Sequence, residues 1–234
     1  MERESRYAVD GLADAVSIRA DWAGRGFQPI VKRMVDLCLG GIATLLLLPA
    51  LAVVAILIKL DSPGPAFFKQ ERIGRFGKEF TMLKFRTMYV NADPEAHLRA
   101  IELAVRCARS ELPHGQDVFK PTDDPRITRI GRTLRTWNLD ELPQLVNVLR
   151  GEMSLVGPRP SLSYELPMYK DWYFSRFAVR PGLTGLWQVK RRTAEDFDGM
   201  MQMDIDYVES VSIWLDLKII AMTIPAIVRD RGVF

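Results

Sequence analysis

Between residues 37 and 58 the chain carries no charge over 22 consecutive positions. At about 1.5 Å rise per residue a helix of that length reaches about 33 Å, against a bilayer core of about 30 Å. The run is long enough to cross a membrane and too apolar to stand in water. Pro49 divides it into 12 residues before and 9 after, and an interior proline costs a helix about 3 kcal/mol. Lys32 and Arg33 precede the run, and Lys59, Lys69, Arg72, Arg75 and Lys78 follow it. Short loops rich in Lys and Arg stay cytoplasmic. Two basic flanks therefore favour a helix that enters, bends at Pro49 and leaves by the same face; a proline-kinked single span is the alternative.

Outside this run the pattern is that of a water-soluble domain. Residues 1–30 form a polar tail of mixed charge, residues 31–60 the membrane element, and residues 61–234 a cytoplasmic domain. Asp61-Ser62-Pro63-Gly64-Pro65 ends any helix. Residues 67–88 hold β-type side chains around Gly74 and Gly77 and predict a hairpin. Residues 92–109 predict a charged surface helix, and Asp123-Asp124-Pro125 a turn. Leu142, Leu145, Val146 and Leu149 recur at helical spacing, with Gly151 where a C-terminal cap belongs. Pro158, Pro160 and Pro167 cut the next stretch into short pieces. Residues 213–228 predict a last helix whose stripe of Trp214, Leu217, Ile220, Ile224, Ile227 and Val228 either packs into the core or lies in the membrane interface. The expected fold class is α/β: a mostly helical membrane-associated domain with a re-entrant, proline-broken helix, a small β-hairpin and amphipathic interfacial helices.

Composition narrows the function. With 48% hydrophobic and 26% charged residues the chain has ample material for a core. A net charge of +3 suits an anionic membrane surface or phosphorylated ligands, and no nucleic-acid partner is expected. Cys38 and Cys107 lie far apart and give no disulfide framework. The 36 residues ahead of the apolar run, with no small-residue cleavage site after it, speak against a signal peptide.

Several chemistries are absent. There is no Walker A loop or G-x-G-x-x-G fingerprint. His97 and His114 sit in no metal-ligand pattern and read as surface residues, which argues against a zinc site or a His-based triad. Carboxylate and arginine chemistry remains. Asp140 and Glu141 stand just ahead of the amphipathic helix beginning near Leu142, with Pro143 in its first turn. Asp140 there is either a helix cap worth about 1 kcal/mol or a nucleophile, ionised at neutral pH and seated where a helix end attracts phosphate. A carboxylate attacking a pyrophosphate needs surrounding cations. Lys84, Arg86, Arg126, Arg129, Arg132, Arg135, Arg159 and Arg180 supply them, arginine's rigid fork suiting bidentate phosphate contacts. Mg²⁺ is the expected cofactor, bridging carboxylate and phosphate oxygens. Asp123 and Asp124 form a competing carboxylate pair, read as a turn.

These residues lie in a recurrent series. It comprises Lys32-Arg33-Met34-Val35-Asp36, Lys84-Phe85-Arg86-Thr87-Met88, Asp124-Pro125-Arg126-Ile127-Thr128 and Leu139-Asp140-Glu141-Leu142-Pro143-Gln144-Leu145. It continues with Met153-Ser154-Leu155-Val156-Gly157-Pro158-Arg159-Pro160, Arg180-Pro181-Gly182-Leu183-Thr184-Gly185-Leu186-Trp187-Gln188-Val189 and Trp214-Leu215-Asp216-Leu217-Lys218. In this order the series closely resembles the bacterial sugar transferases, the monotopic polyprenyl-phosphate phosphoglycosyl transferases, from about Lys32 to the C-terminus. The resemblance implies transfer of a sugar-1-phosphate from a nucleoside diphosphate sugar, here a UDP-sugar, to undecaprenyl phosphate, with release of UMP. It implies Asp140 as the nucleophile that carries a phosphosugar intermediate and binds Mg²⁺, with Glu141 assisting. Arg135, Arg159 and Arg180 are implied as phosphate or substrate contacts, and Pro49 as the membrane bend; Lys84 and Arg86 stay phosphate-binding candidates from the charge pattern alone. The implied location is the cytoplasmic face of the bacterial inner membrane, among membrane lipid, with oligomeric state open. The chain departs from the family pattern at Leu48, at Asn138 and at Lys190-Arg191-Arg192, where Ser or Thr, Ser or Thr, and Ser-Gly-Arg are usual. Trp187 resembles members that use hexose donors.

Overall fold

The structure is a computed structural model and describes residues 28–90, 124–190 and 197–229. The polar tail up to residue 27, the surface helix of residues 92–109, both histidines, Cys107, Asp123 and Arg191-Arg192 lie outside the described residues.

The apolar run becomes one helix, α1 (Gln28–Asp61, 34 residues), long and apolar enough to cross a membrane. The expected break at Pro49 is not an end of the element, because helix continues on both sides of it. Proline removes one hydrogen bond and bends a helix, while a strongly apolar segment keeps every other backbone group paired by staying helical. Leu45 and Leu46, near the proline, are each 73% exposed.

Both ends of α1 are fastened to the same globular body. At its start Lys32 Nζ donates to the Val156 carbonyl at 3.1 Å and pairs with Asp216 at 2.6 Å. Arg33 donates to the Val148 and Leu149 carbonyls at 2.7 and 3.0 Å. Asp36, buried, accepts from Ser154 Oγ and the Leu155 N–H, each at 3.0 Å. At its far end Ile58 is buried against Ala66, Phe85 and Leu134, with Leu51, Val54 and Ala55 packed alongside. Asp61 accepts from the Ile130 N–H at 3.0 Å.

The predicted hairpin is present: β1 (Phe67–Ile73) pairs antiparallel with β2 (Glu79–Phe85), from Phe67 opposite Phe85 to Ile73 opposite Glu79. A tight turn at Arg75–Gly77 joins them, with positive φ at Phe76 and Gly77. A second, parallel pair was not predicted: β3 (Ser154–Val156) runs beside β4 (Gly182–Thr184). Gly157 and Gly182 allow it, because a Cβ at Gly157 would stand 2.4 Å from the Arg180 carbonyl and one at Gly182 would stand 2.0 Å from the Gly157 nitrogen.

Helices α2 (Arg129–Thr136), α3 (Leu145–Arg150), α4 (Leu186–Lys190), α5 (Phe197–Ser210) and α6 (Ile213–Arg229) surround these strands. Gly151 caps α3 at φ 84°, as its place in the sequence predicts. The last helix is two-faced. Ile219 is fully buried, and Ala226 joins it in a core with Val156, Val179, Tyr207 and Val208. Trp214 and Ile224, 82% and 70% exposed, lie on the outside. A second core of Tyr169, Tyr173, Phe174, Phe177, Trp187, Phe197 and two methionines lies between the turn at Asp171–Ala178 and α5.

Candidate active site

The acidic pair does not begin the helix as expected. Residues Leu139–Gln144 form a 3-10 turn ahead of α3, and Asp140 and Glu141 lie in its first turn. Asp140 is therefore inside this turn and not its cap. The cap position belongs to Asn138, in the left-handed conformation (φ 55°) and with no side-chain cap bond. Pro143 gives the reason: its ring clashes with the carbonyl four residues back, that of Leu139, so α geometry starts only after it. Asparagine is among the residues that accept the left-handed region at low cost, which accounts for Asn138 at this position.

Asp140 is buried, at 4% exposure. Beside it Glu141 accepts from Lys84 Nζ at 3.0 Å. Lys84 comes from β2, which is held to α3 by the fully buried Asn147. That amide accepts from the Leu83 N–H at 3.0 Å and donates to the Thr81 carbonyl at 2.8 Å. Strand alternation sets Lys84, Met82 and Arg72 on one face of the hairpin. Together with Glu141, Gln144 and Arg159 they line a narrow cleft.

The cleft is crowded with charge. Burial pulls the Lys84 ammonium down to about 8; Glu141 and Asp140 oppose the shift, while Arg159 and Arg72 add to it. Burial, with the neighbouring Arg159 adding to it, brings the Arg72 guanidinium down to about 10. Three cations crowded beside one carboxylate leave the cleft with an excess of positive charge, the electrostatics that suit an anion.

Of the basic residues proposed from sequence, Lys84 and Arg159 reach this cleft together with Glu141. Three others have their own partners elsewhere. Arg86 is a clamp on the end of α1: it donates to the Ser62 carbonyl at 2.7 Å, to Ser62 Oγ at 2.9 Å and to the Pro63 carbonyl at 2.8 Å. Arg180 donates to the Gly151 carbonyl at 2.8 Å, just past the end of α3, whose last carbonyls Arg33 also binds. Cations there satisfy orphan carbonyls and complement the helix dipole. Arg135 is buried on α2 and helps to hold the Asp124 carboxyl below its ordinary value. The larger cause is Arg126, which donates to Asp124 through Nε at 3.0 and 3.1 Å and Nη2 at 2.7 Å. Asp124 is thus engaged within its own turn, as expected. Arg72, counted from sequence only as a flanking charge, is the cleft residue that sequence reasoning missed; the hairpin register that pairs β1 with β2 was the signal for it.

Asp140 and Glu141 are two hard oxygen donors on one turn. Among the described residues no group of three or more His, Cys, Asp or Glu side chains is placed to hold a metal ion. Such a donor set fits Mg²⁺ shared with substrate phosphate oxygens, not a closed all-protein site.

The family described as Bacterial sugar transferase matches residues 27–230. The chain belongs to this family. It is 42% identical over 212 residues to the UDP-glucose:undecaprenyl-phosphate glucose-1-phosphate transferase of Caulobacter vibrioides, covering 87% of this chain and 72% of that protein. It is 38% identical over 210 residues to the exopolysaccharide production protein ExoY of Rhizobium meliloti, covering 90% and 91%. With the galactosyl transferase CpsE of Streptococcus agalactiae the identity is 39% over 207 residues, covering 87% of this chain but 43% of that protein. The sugar transferase therefore spans most of some relatives and less than half the length of others.

Proposed function

We propose that this sugar transferase moves a hexose-1-phosphate from a UDP-sugar to undecaprenyl phosphate at the cytoplasmic face of the membrane, starting a lipid-linked glycan such as an exopolysaccharide or capsule. The observation that carries the reading is the meeting of Glu141 with Lys84, Arg72 and Arg159 around one small cleft, with Asp140 next to Glu141 in the chain and near enough to act on the Lys84 charge. The names of the relatives, which include undecaprenyl-phosphate sugar-phosphate transferases, support the donor and acceptor classes.

Asp140 attacks the phosphorus that bears the sugar. The bond from that phosphorus to the bridging oxygen breaks, and UMP leaves with the electron pair. A phosphate oxygen of undecaprenyl phosphate then attacks the same phosphorus, the Asp140–phosphorus bond breaks, and the carboxylate is restored. Lys84, Arg72 and Arg159 offset the like-charge repulsion that otherwise keeps a carboxylate from a diphosphate. Glu141 holds Lys84 by their 3.0 Å pair. Asp140, with Glu141 beside it, would hold Mg²⁺, which would supply further neutralisation of phosphate charge.

The geometry of α1 supports a re-entrant topology. A single span sends its two ends to opposite sides of a bilayer. Here both ends bond one globular body, leaving the residues around Pro49 exposed. The outer face of α6, with Trp214 and Ile224, fits the headgroup boundary.

The test is UMP release from a panel of UDP-sugars with undecaprenyl phosphate and Mg²⁺, alongside mass spectrometry of enzyme quenched after donor alone. A phosphosugar adduct on Asp140 that is absent from Asp140→Asn is the expected result. Turnover with no adduct, or with the adduct on another residue, would refute the mechanism, and no turnover would leave a non-catalytic scaffold.

A further inference from the structure

Arg159 reaches the cleft from a loop that contains two prolines, Pro158 and Pro160, and these prolines have no N–H to anchor it. The loop is pinned instead through four successive carbonyls. The Gly182 N–H bonds the Pro158 carbonyl at 2.8 Å, and the Ile73 N–H bonds the Ser161 carbonyl at 2.9 Å. The two carbonyls between are taken by guanidinium groups: Arg176 Nη2 on Arg159 at 2.8 Å and Arg72 Nη1 on Pro160 at 2.9 Å.

Arg176 is buried, at 4% exposure, and works at several points at once. Its Nη1 donates to Ser161 Oγ and to the Tyr169 hydroxyl, each at 2.9 Å. Its Nη2 also donates to Asp204 Oδ2 at 2.5 Å, and Asp204 is 1% exposed. A buried ion pair of this kind adds little net stability over an apolar pair of the same volume. What it does supply is geometry, because a rigid planar fork fixes several acceptors relative to one another. A lysine, with three donors on one atom, cannot do this.

We propose that Arg176, oriented by Asp204, is a positioning residue for Arg159: by holding the residue 159 carbonyl it aims the Arg159 side chain at the phosphate in the cleft. This assignment rests on the phosphosugar-transfer reading above. Arg176 is not among the residues that line the cleft. Its effect on the reaction passes through Arg159, so the two must be coupled.

The experiment is a double-mutant cycle in the full chain reconstituted in lipid nanodiscs, with UDP-glucose and UDP-galactose among the UDP-sugars tried and undecaprenyl phosphate as acceptor. Arg176→Lys is expected to lower kcat at least about tenfold, while KM for the donor changes less than about threefold. A misaimed guanidinium still lies near the phosphate but misses the charge that develops in the transition state. In the Arg159→Ala background the same substitution is expected to change kcat less than about twofold. Equal fold-losses in both backgrounds would overturn the assignment and make Arg176 a purely structural residue. No UMP release from the wild type with any donor would overturn the functional reading and this assignment with it. Should Arg176→Lys fail to fold, Asp204→Asn takes its place, keeping Arg176 and removing its ionic partner; the same coupling to Arg159 is expected, and its absence would equally overturn the assignment.

Discussion

Lys84 should give the cleft a pH limit that can be read in kinetics. Its ammonium is brought down from 10.5 to about 8, chiefly by burial. For a lysine shifted in this direction the folded protein releases its proton earlier than the unfolded chain does, so the positive charge is lost as pH rises through about 8. At pH 7 about nine-tenths of the molecules keep the charge, and at pH 9 about one-tenth do. If the charged form is the one that receives the donor's phosphates, kcat/KM for the UDP-sugar should fall nearly tenfold over those two units. That parameter reports groups in the free enzyme, and in a two-step reaction it concerns the donor half alone. The assay is initial-rate UMP release from pH 6.5 to 9.5 at saturating undecaprenyl phosphate, with Lys84→Arg in parallel. A guanidinium stays protonated throughout this range. The variant should lose the descending limb near pH 8 whatever its absolute activity. A limb of the same position in Lys84→Arg, or a flat wild-type profile between pH 7 and 9, would refute the reasoning.

Other outcomes follow from single contacts. Asn147→Ala removes the bonds to the Leu83 N–H and the Thr81 carbonyl; at about 1–3 kcal/mol for each buried group left unmet, a fall of about 2–6 kcal/mol in unfolding free energy is expected by denaturant titration, with loss of activity as β2 drifts. Lys32→Met leaves the buried Asp216 carboxyl, already raised by burial, without the ammonium that opposes that rise. Breaking such a pair costs about 3–5 kcal/mol, visible as a lowered Tm. For topology, Met34→Cys and Leu60→Cys, both at exposed positions, in a background carrying Cys38→Ser and Cys107→Ser, should be labelled from the same side of intact cells, and labelling from opposite sides would rule out the re-entrant reading.

Local signals carried much of this molecule. The uncharged run marked α1, glycine punctuation marked the hairpin and the end of α3, and the Leu139-to-Leu145 motif marked the acidic pair. What stayed hidden has physical causes. The parallel pair β3 and β4 has three residues per strand, too few to show a period. The stiffness of Pro143 turned a predicted cap into a 3-10 turn. A cation's sequence neighbours do not reveal its acceptors, so the backbone carbonyls of distant segments that Arg86 and Arg180 bind were not legible. Arg72 shows the converse, a flanking charge by position that the hairpin carries into the cleft.

Those hidden contacts share a direction. Three of the segments that bring residues to the cleft are bonded, close to those residues, to one end of α1. Arg86, two residues after Lys84, holds Ser62. The helix that follows the Asp140 turn ends on Arg33. Strand β3, just ahead of Arg159, carries the Asp36 bonds at Ser154 and Leu155. With these short connections the cleft cannot change its height or tilt relative to α1 without breaking buried polar contacts, each worth about 1–3 kcal/mol when left unmet. A lipid phosphate is confined to headgroup depth while a soluble donor is not. On the function proposed above, an enzyme joining the two gains most from fixing its phosphate site against α1, and Arg86, which the sequence reading assigned to substrate, is among the residues that hold the end of that helix.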